Sequence, residues 1–113
     1  MADSDRYGYD RNYVAPPKKL REVGIMEICD YCGVSSRDEQ AVLIVSYFIN
    51  AARAFIRGKT GLTDEEIDEH EDFVPVFLTL INEMYTNRDY SVEQAAENKF
   101  VKQILAMYSV NYL

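Results

Sequence analysis

Basic charge is scarce in this chain: 12 Lys and Arg stand against 19 Asp and Glu, giving a formal net charge of -7 over 113 residues. Duplex DNA is gripped by clustered Lys and Arg that displace counterions, so tight wrapping of DNA is excluded and any contact with it is expected to be loose. Cysteine is scarcer still. Cys29 and Cys32 are too few and too close together to staple a fold, which suits a reducing compartment. The single histidine, His70, gives ordinary hydrolase arrangements little to work with. There is no Gly-rich phosphate loop, nucleophile elbow or Ser/His/Asp set. The longest apolar run, residues 41–56, is interrupted by Ser46, Asn50 and Arg53, and so falls short of the roughly 18 uncharged residues a membrane span requires. No basic stretch followed by an apolar one opens the chain, so no secretory signal is expected, and the folded product is expected in a cytoplasm.

What is present is enough for one domain. A composition of 48% hydrophobic and 27% charged residues is too apolar for a wholly disordered chain. A domain of this length buries roughly two-thirds of the surface its unfolded chain exposes, which allows a single modest core. Residues 1–24 differ from the rest. Asp, Arg, Tyr, Asn and Pro dominate there, and Pro16-Pro17-Lys18-Lys19 breaks regular structure, so this stretch reads as a flexible N-terminal arm. Its Tyr7, Tyr9 and Tyr13 suit docking on a partner; an untethered chain end is the alternative.

From residue 25 to 113 the signals are helical. Ile25, Ile28 and Tyr31 fall on one side of a short helix, and Gly33 just beyond can take the left-handed conformation that ends helices. Ser36-Arg37-Asp38-Glu39 reads as a capping box that opens a long helix running to about Arg57, with Gly58 and Gly61 ending it. That helix is apolar nearly all round. Only Ser46, Asn50, Arg53 and Arg57 are polar along its middle and end, in one narrow stripe, and such a helix must be covered on nearly all sides. Either the remaining helices wrap it within one chain, or neighbouring copies cover part of it.

Thr63-Asp64-Glu65-Glu66 is a second capping box, opening a short acidic helix. A further helix starts near Pro75, presents Val76, Phe77, Leu80, Ile81, Met84 and Tyr85, and ends around Asn87. Ser91 with Gln94 marks another cap, before an amphipathic last helix with the stripe Phe100, Val101, Ile104, Leu105 and Tyr108. The fold expected is all-α: a small bundle of about four to five helices with a long central helix, leaving room for a short hairpin in a loop.

Two constellations invite a chemical reading. Cys29-Asp30-Tyr31-Cys32 has redox or metal spacing, but a zinc site needs four ligands and a thioredoxin-like motif needs a βαβ setting. Buried structural cysteines are the competing reading. The acidic run from Thr63 to Asp72 lacks the alternating ligands and central Gly of an EF-hand loop, and reads as a solvated acidic helix start in preference to a cation site. No catalytic residue, cofactor or metal is expected.

A short helix closes on Asp30-Tyr31-Cys32-Gly33-Val34, an acidic cap follows at Asp38-Glu39, and a run leads from Ile49 through Ala51-Ala52-Arg53 to Thr60-Gly61. An apolar helix ends in Tyr85-Thr86-Asn87-Arg88, and the last helix closes on Leu105-Ala106-Met107-Tyr108. The order of these segments resembles the head-tail connector, or adaptor, family of tailed bacteriophages, with its Tyr-x-Asn-Arg helix end and its closing Leu-x-x-Tyr. The arm lies outside the resemblance, and the last helix lacks the Pro that often precedes the closing Tyr in relatives.

The resemblance implies a non-enzymatic virion protein at the head-tail junction, assembled in the host bacterial cytoplasm. It implies a homo-oligomeric ring of about a dozen copies, held between the portal protein and a neck, stopper or tail-completion protein, with genomic DNA passing through the lumen. Arg53, Arg57, Phe48, Phe55, Tyr85, Arg88 and Tyr108 are the candidate subunit or portal contacts. The alternative is a cytoplasmic helical protein-interaction or regulatory module that forms a dimer.

Overall fold

The computed structural model describes residues 19–108. A 3-10 turn (Leu20–Glu22) leads into six α-helices: α1 (Ile25–Cys32), α2 (Glu39–Thr60), α3 (Asp64–Asp68), α4 (Phe73–Thr86), α5 (Val92–Ala95) and α6 (Lys99–Tyr108). The described residues form an all-α bundle with α2 as its long central helix, and none of them lies in a strand. The hairpin for which the sequence leaves room is therefore not formed among them.

The short helix α1 starts where the Glu27 carboxylate accepts from the Gly24 N–H at 3.0 Å, and it ends at Gly33, whose φ of 71° is the expected left-handed cap. Its buried residues are Ile28 and Cys29. The expected stripe is shifted, because Ile25 is 38% and Tyr31 50% exposed.

Helix α2 begins two residues later than expected. Asp38, not Ser36, is the capping residue, and its Oδ1 accepts from the Ala41 N–H at 3.2 Å. The helix also runs past Gly58 to Thr60. The buried Thr60 hydroxyl donates to the Ile56 carbonyl at 2.7 Å and its oxygen accepts from the Leu62 N–H at 3.2 Å, so Thr60 holds the last turn closed. Gly61, with φ 72°, makes the stop and donates its N–H to Arg57 O at 2.8 Å. Gly58 costs about 1 kcal/mol in a helix interior, too little to end a helix whose following turn is anchored.

Thr63 caps α3 as expected: its hydroxyl accepts from the Glu66 N–H at 3.1 Å, and the Glu66 carboxylate accepts from the Thr63 N–H at 2.9 Å. Helix α4 starts at Phe73, two residues before Pro75, which sits in the first turn where its missing N–H has no intrahelical acceptor to lose. Half of α4 is buried: Phe73, Val74, Val76, Phe77, Leu80, Ile81 and Met84. It packs against α1, α2, α5, α6 and the 3-10 turn, so it is the element that all the larger ones share.

The single expected closing helix is two helices. Ser91 and Gln94 form the capping box, but it opens only the four-residue α5; Asn98 then caps α6, its Oδ1 accepting from the N–H groups of Phe100 and Val101 at 2.9 and 3.3 Å. Val101 and Leu105 face the core, while Phe100 is 41% exposed.

The expected arm boundary also moves. Leu20 and Val23 are buried in the core cluster, and Arg21 is tied by its guanidinium and its backbone N–H to the Asp68 carboxylate. Burial of these two apolar side chains fastens the chain to the bundle from residue 20 onward. Tyr7, Tyr9 and Tyr13 lie outside the described residues.

Candidate interface site

The position of α2 decides what surface the bundle offers. Ala41, Val45, Ala52, Ile56 and Thr60 face inward. Leu43, Tyr47, Asn50, Ala54 and Arg57 form the outward stripe, spaced four, three, four and three residues apart. This stripe is rotated by about one residue from the polar stripe read in the sequence, because Ser46 and Arg53 are half-buried instead. Two large apolar side chains consequently stand in the open: Leu43 is 54% and Tyr47 64% exposed. The helix also has the length and the mean hydropathy, 1.3 over 18 residues, of a membrane span, although it carries Arg53 in its second half and packs one face against α4.

Beside α2, the 3-10 turn and α3 close a cleft of about 290 Å³ that gathers Arg21, Arg53 and Arg57 with Asp64, Glu65 and Asp68 over an apolar floor of Leu20 and Ile67. Arg57 Nη1 donates to Asp64 Oδ1 at 3.3 Å across the exposed rim. The Arg53 guanidinium carbon stands 5.6 Å from the centroid of the Phe77 ring, a cation–π contact that attaches the half-buried arginine to the core. Hydrogen bonding to Asp68, with the attraction of that carboxylate, raises the Arg21 pKa above its ordinary value.

On another side of α2, Ala51, Ala54, Phe55, Gly58 and Lys59 join Val92 and Glu93 around a groove of about 430 Å³. A smaller hollow of about 160 Å³ shares Phe55 and Lys59 and continues to Ala96, Lys102, Leu105 and Ala106. Small residues on α2 and α6 make this trough: a larger side chain at 51, 54, 58 or 106 would occupy it.

The seven candidate contacts are distributed over the molecule. Arg53 and Arg57 meet in the cleft, and Phe55 lies in the groove with Lys59 Nζ 5.9 Å from its ring centroid. Phe48 is half-buried against the core. Tyr85 and Arg88 pair at the end of α4, where the Arg88 guanidinium carbon is 4.4 Å from the Tyr85 ring centroid and its Nε donates to the Tyr85 carbonyl at 3.0 Å. Tyr108 stands at the opposite end of α4, its ring 4.7 Å from those of both His70 and Phe73. Sequence reasoning missed the cleft's Leu20, Arg21 and Asp68, and the groove's alanines. The repeat Ala51, Ala54, Gly58 at helical spacing was the signal for the groove.

Both thiols are held protonated. Cys29 is fully buried, and burial, then the Asp30 charge, raises its pKa; burial and Cys29 push Cys32 up to about 11. A nucleophilic or redox cysteine requires the opposite shift. Among the described residues no three His, Cys, Asp or Glu side chains gather as a metal site would require.

Fold and surface together define a small all-α bundle with a partly uncovered long helix, a charged cleft and an apolar groove. No family model matches this chain, and no curated protein or solved structure matches it either.

Proposed function

We propose that this chain is a structural subunit of a phage neck, forming with identical copies a ring that joins the capsid portal to the tail or stopper and lets genomic DNA pass. The observation that carries the reading is the outward stripe of α2, where Leu43 and Tyr47 stand exposed on a helix of 22 residues. Large apolar side chains left open in one copy are burial surface for another. The net charge of -7 agrees with a channel that must not grip DNA. The segment resemblance supplies the identity of the assembly, and the mechanism is geometric: lateral contacts close the ring while its two faces meet the portal and the next neck protein.

Sedimentation velocity at low and high salt, with and without the cognate portal, tests it. Monomers or small oligomers are expected at low salt, and rings at high concentration, at high salt or on the portal, because screening weakens like-charge repulsion and leaves apolar burial intact. A compact dimer indifferent to salt and portal sinks the connector reading and favours a regulatory module.

A further inference from the structure

Helix α2 has the chain's N-terminal root on one side and an apolar groove on the other. Leu20 and Arg21 sit in the cleft with Arg53 and Arg57. At 100° per residue, Ala51, Phe55 and Gly58 lie about 140–200° round the helix from Arg53, and these three line the groove. The described chain therefore begins on the face of α2 away from the groove.

We propose that residues 1–18 of one copy dock in the groove that α2, α5 and α6 form on the adjacent copy, with Tyr7, Tyr9 and Tyr13 as anchors. This rests on the ring reading and adds to it the contact that joins neighbours. Reach allows it: eighteen extended residues span about 60 Å, several times the roughly 10–12 Å diameter of a helix. Chemistry favours it too. A groove of about 430 Å³ floored by Ala51, Ala54 and Gly58 accepts flat aromatic side chains, and a tyrosine buries its ring while keeping its hydroxyl at the wet edge. Lys59, already over the Phe55 ring, offers its ammonium to a second aromatic face. The segment interleaves its tyrosines with Asp3, Asp5 and Asp10 and with Arg6 and Arg11, matching a rim that carries Lys59, Lys102 and Glu93. Root and groove are different patches of the same surface, so the exchange is heterologous. Contacts of that kind close into rings when the rotation fits.

The test uses the full chain. A photoreactive phenylalanine analogue replaces Tyr9, unlabelled and isotope-labelled copies are mixed under assembling conditions, and cross-linked peptides are mapped. Cross-links to residues 51–59 or 92–106 that join labelled with unlabelled chains are expected. Cross-links to the groove within one chain, or to other surfaces, overturn the exchange. In parallel, Ala54→Trp fills the groove from an exposed position, and the triple Tyr7→Ala, Tyr9→Ala, Tyr13→Ala removes the anchors. Each is expected to weaken association about tenfold while leaving the helical melt unchanged. Rings that form with unaltered affinity in both variants overturn the exchange alone. No ring under any condition, portal included, overturns the ring reading and the exchange together.

Discussion

The Tyr108 hydroxyl donates a 2.8 Å hydrogen bond to Oδ2 of Asp72, joining the last turn of α6 to the residue that precedes α4. The same tyrosine ring lies against His70 and Phe73, so the end of the described residues is fastened to the bundle of its own chain. The hydrogen bond to Asp72 comes first among the causes that raise the Tyr108 pKa, with desolvation and the Asp72 charge adding to it.

Tyr108→Phe should therefore lower the melting temperature slightly, keeping the ring contacts and losing the hydrogen bond. A folded pKa above the unfolded one adds stability that is present below the unfolded value, about 10 for tyrosine, and is lost as pH rises through the folded value. The gap between wild type and variant should close in strongly alkaline buffer. Thermal melts from pH 7 to 11 measure this; a gap that widens with pH contradicts the assignment.

Two glycines should respond with opposite sign. Gly33 has φ 71° with open space around an added Cβ, so Gly33→Ala is expected to cost about 1–2 kcal/mol from backbone strain alone. Gly58 lies inside α2, also with nothing within 4 Å of an added Cβ, and Gly58→Ala should stabilise by about 0.5–1 kcal/mol. Urea unfolding of both variants gives the comparison. Equal destabilisation would show that Gly58 is not helical in solution.

The root of the N-terminal segment separates two truncations. Removing residues 1–18 should leave the melt nearly unchanged. Removing residues 1–23 takes Leu20 and Val23 out of the core and breaks the Arg21 contact with Asp68. Loss of two buried aliphatic side chains should cost about 3–6 kcal/mol, visible in denaturant titrations. Matching midpoints for the two truncations would show that this turn is not docked.

Cys32 provides a pH prediction of its own. Its pKa of about 11 favours the thiol in the folded state, so its contribution is complete below the unfolded value, about 8.5, and is lost as pH rises towards 11. Stability should fall across that window, less so in Cys32→Ser. Alkylation of the folded protein at pH 8 should be slow at both cysteines. Rapid modification there would revive a reactive-thiol reading.

Much of the bundle was legible in local chemistry. The boxes at Thr63–Glu66 and Ser91–Gln94 and the left-handed Gly33 depend on residues within a few positions of each other, and each formed where the residues stood. The misreadings were tertiary. Gly58 did not end α2 because Thr60 is buried and hydrogen-bonded beyond it, and the closing helix divides because Asn98 offers a second cap and donates its amide to Glu83 at 3.1 Å. Leu20 and Val23 looked like part of a polar arm because only two apolar residues mark the turn. Candidate contacts fared differently, since a composition that says α2 is over-apolar does not say which stripe faces outward. That was set by rotation about its own axis when α4 packed against it, which leaves Tyr47 out and Arg53 half in. Tyr85, Asn87 and Arg88, read as a motif, are a helix stop: Asn87 donates to the Glu83 carbonyl at 3.2 Å, and Arg88 folds back over Tyr85.

Because α4 touches every helix but the short α3 along substantial faces, the bundle has no half that could stand while the other opens. A bundle built this way is expected to unfold as one unit, with its most slowly exchanging amides in the buried turns between Val76 and Met84.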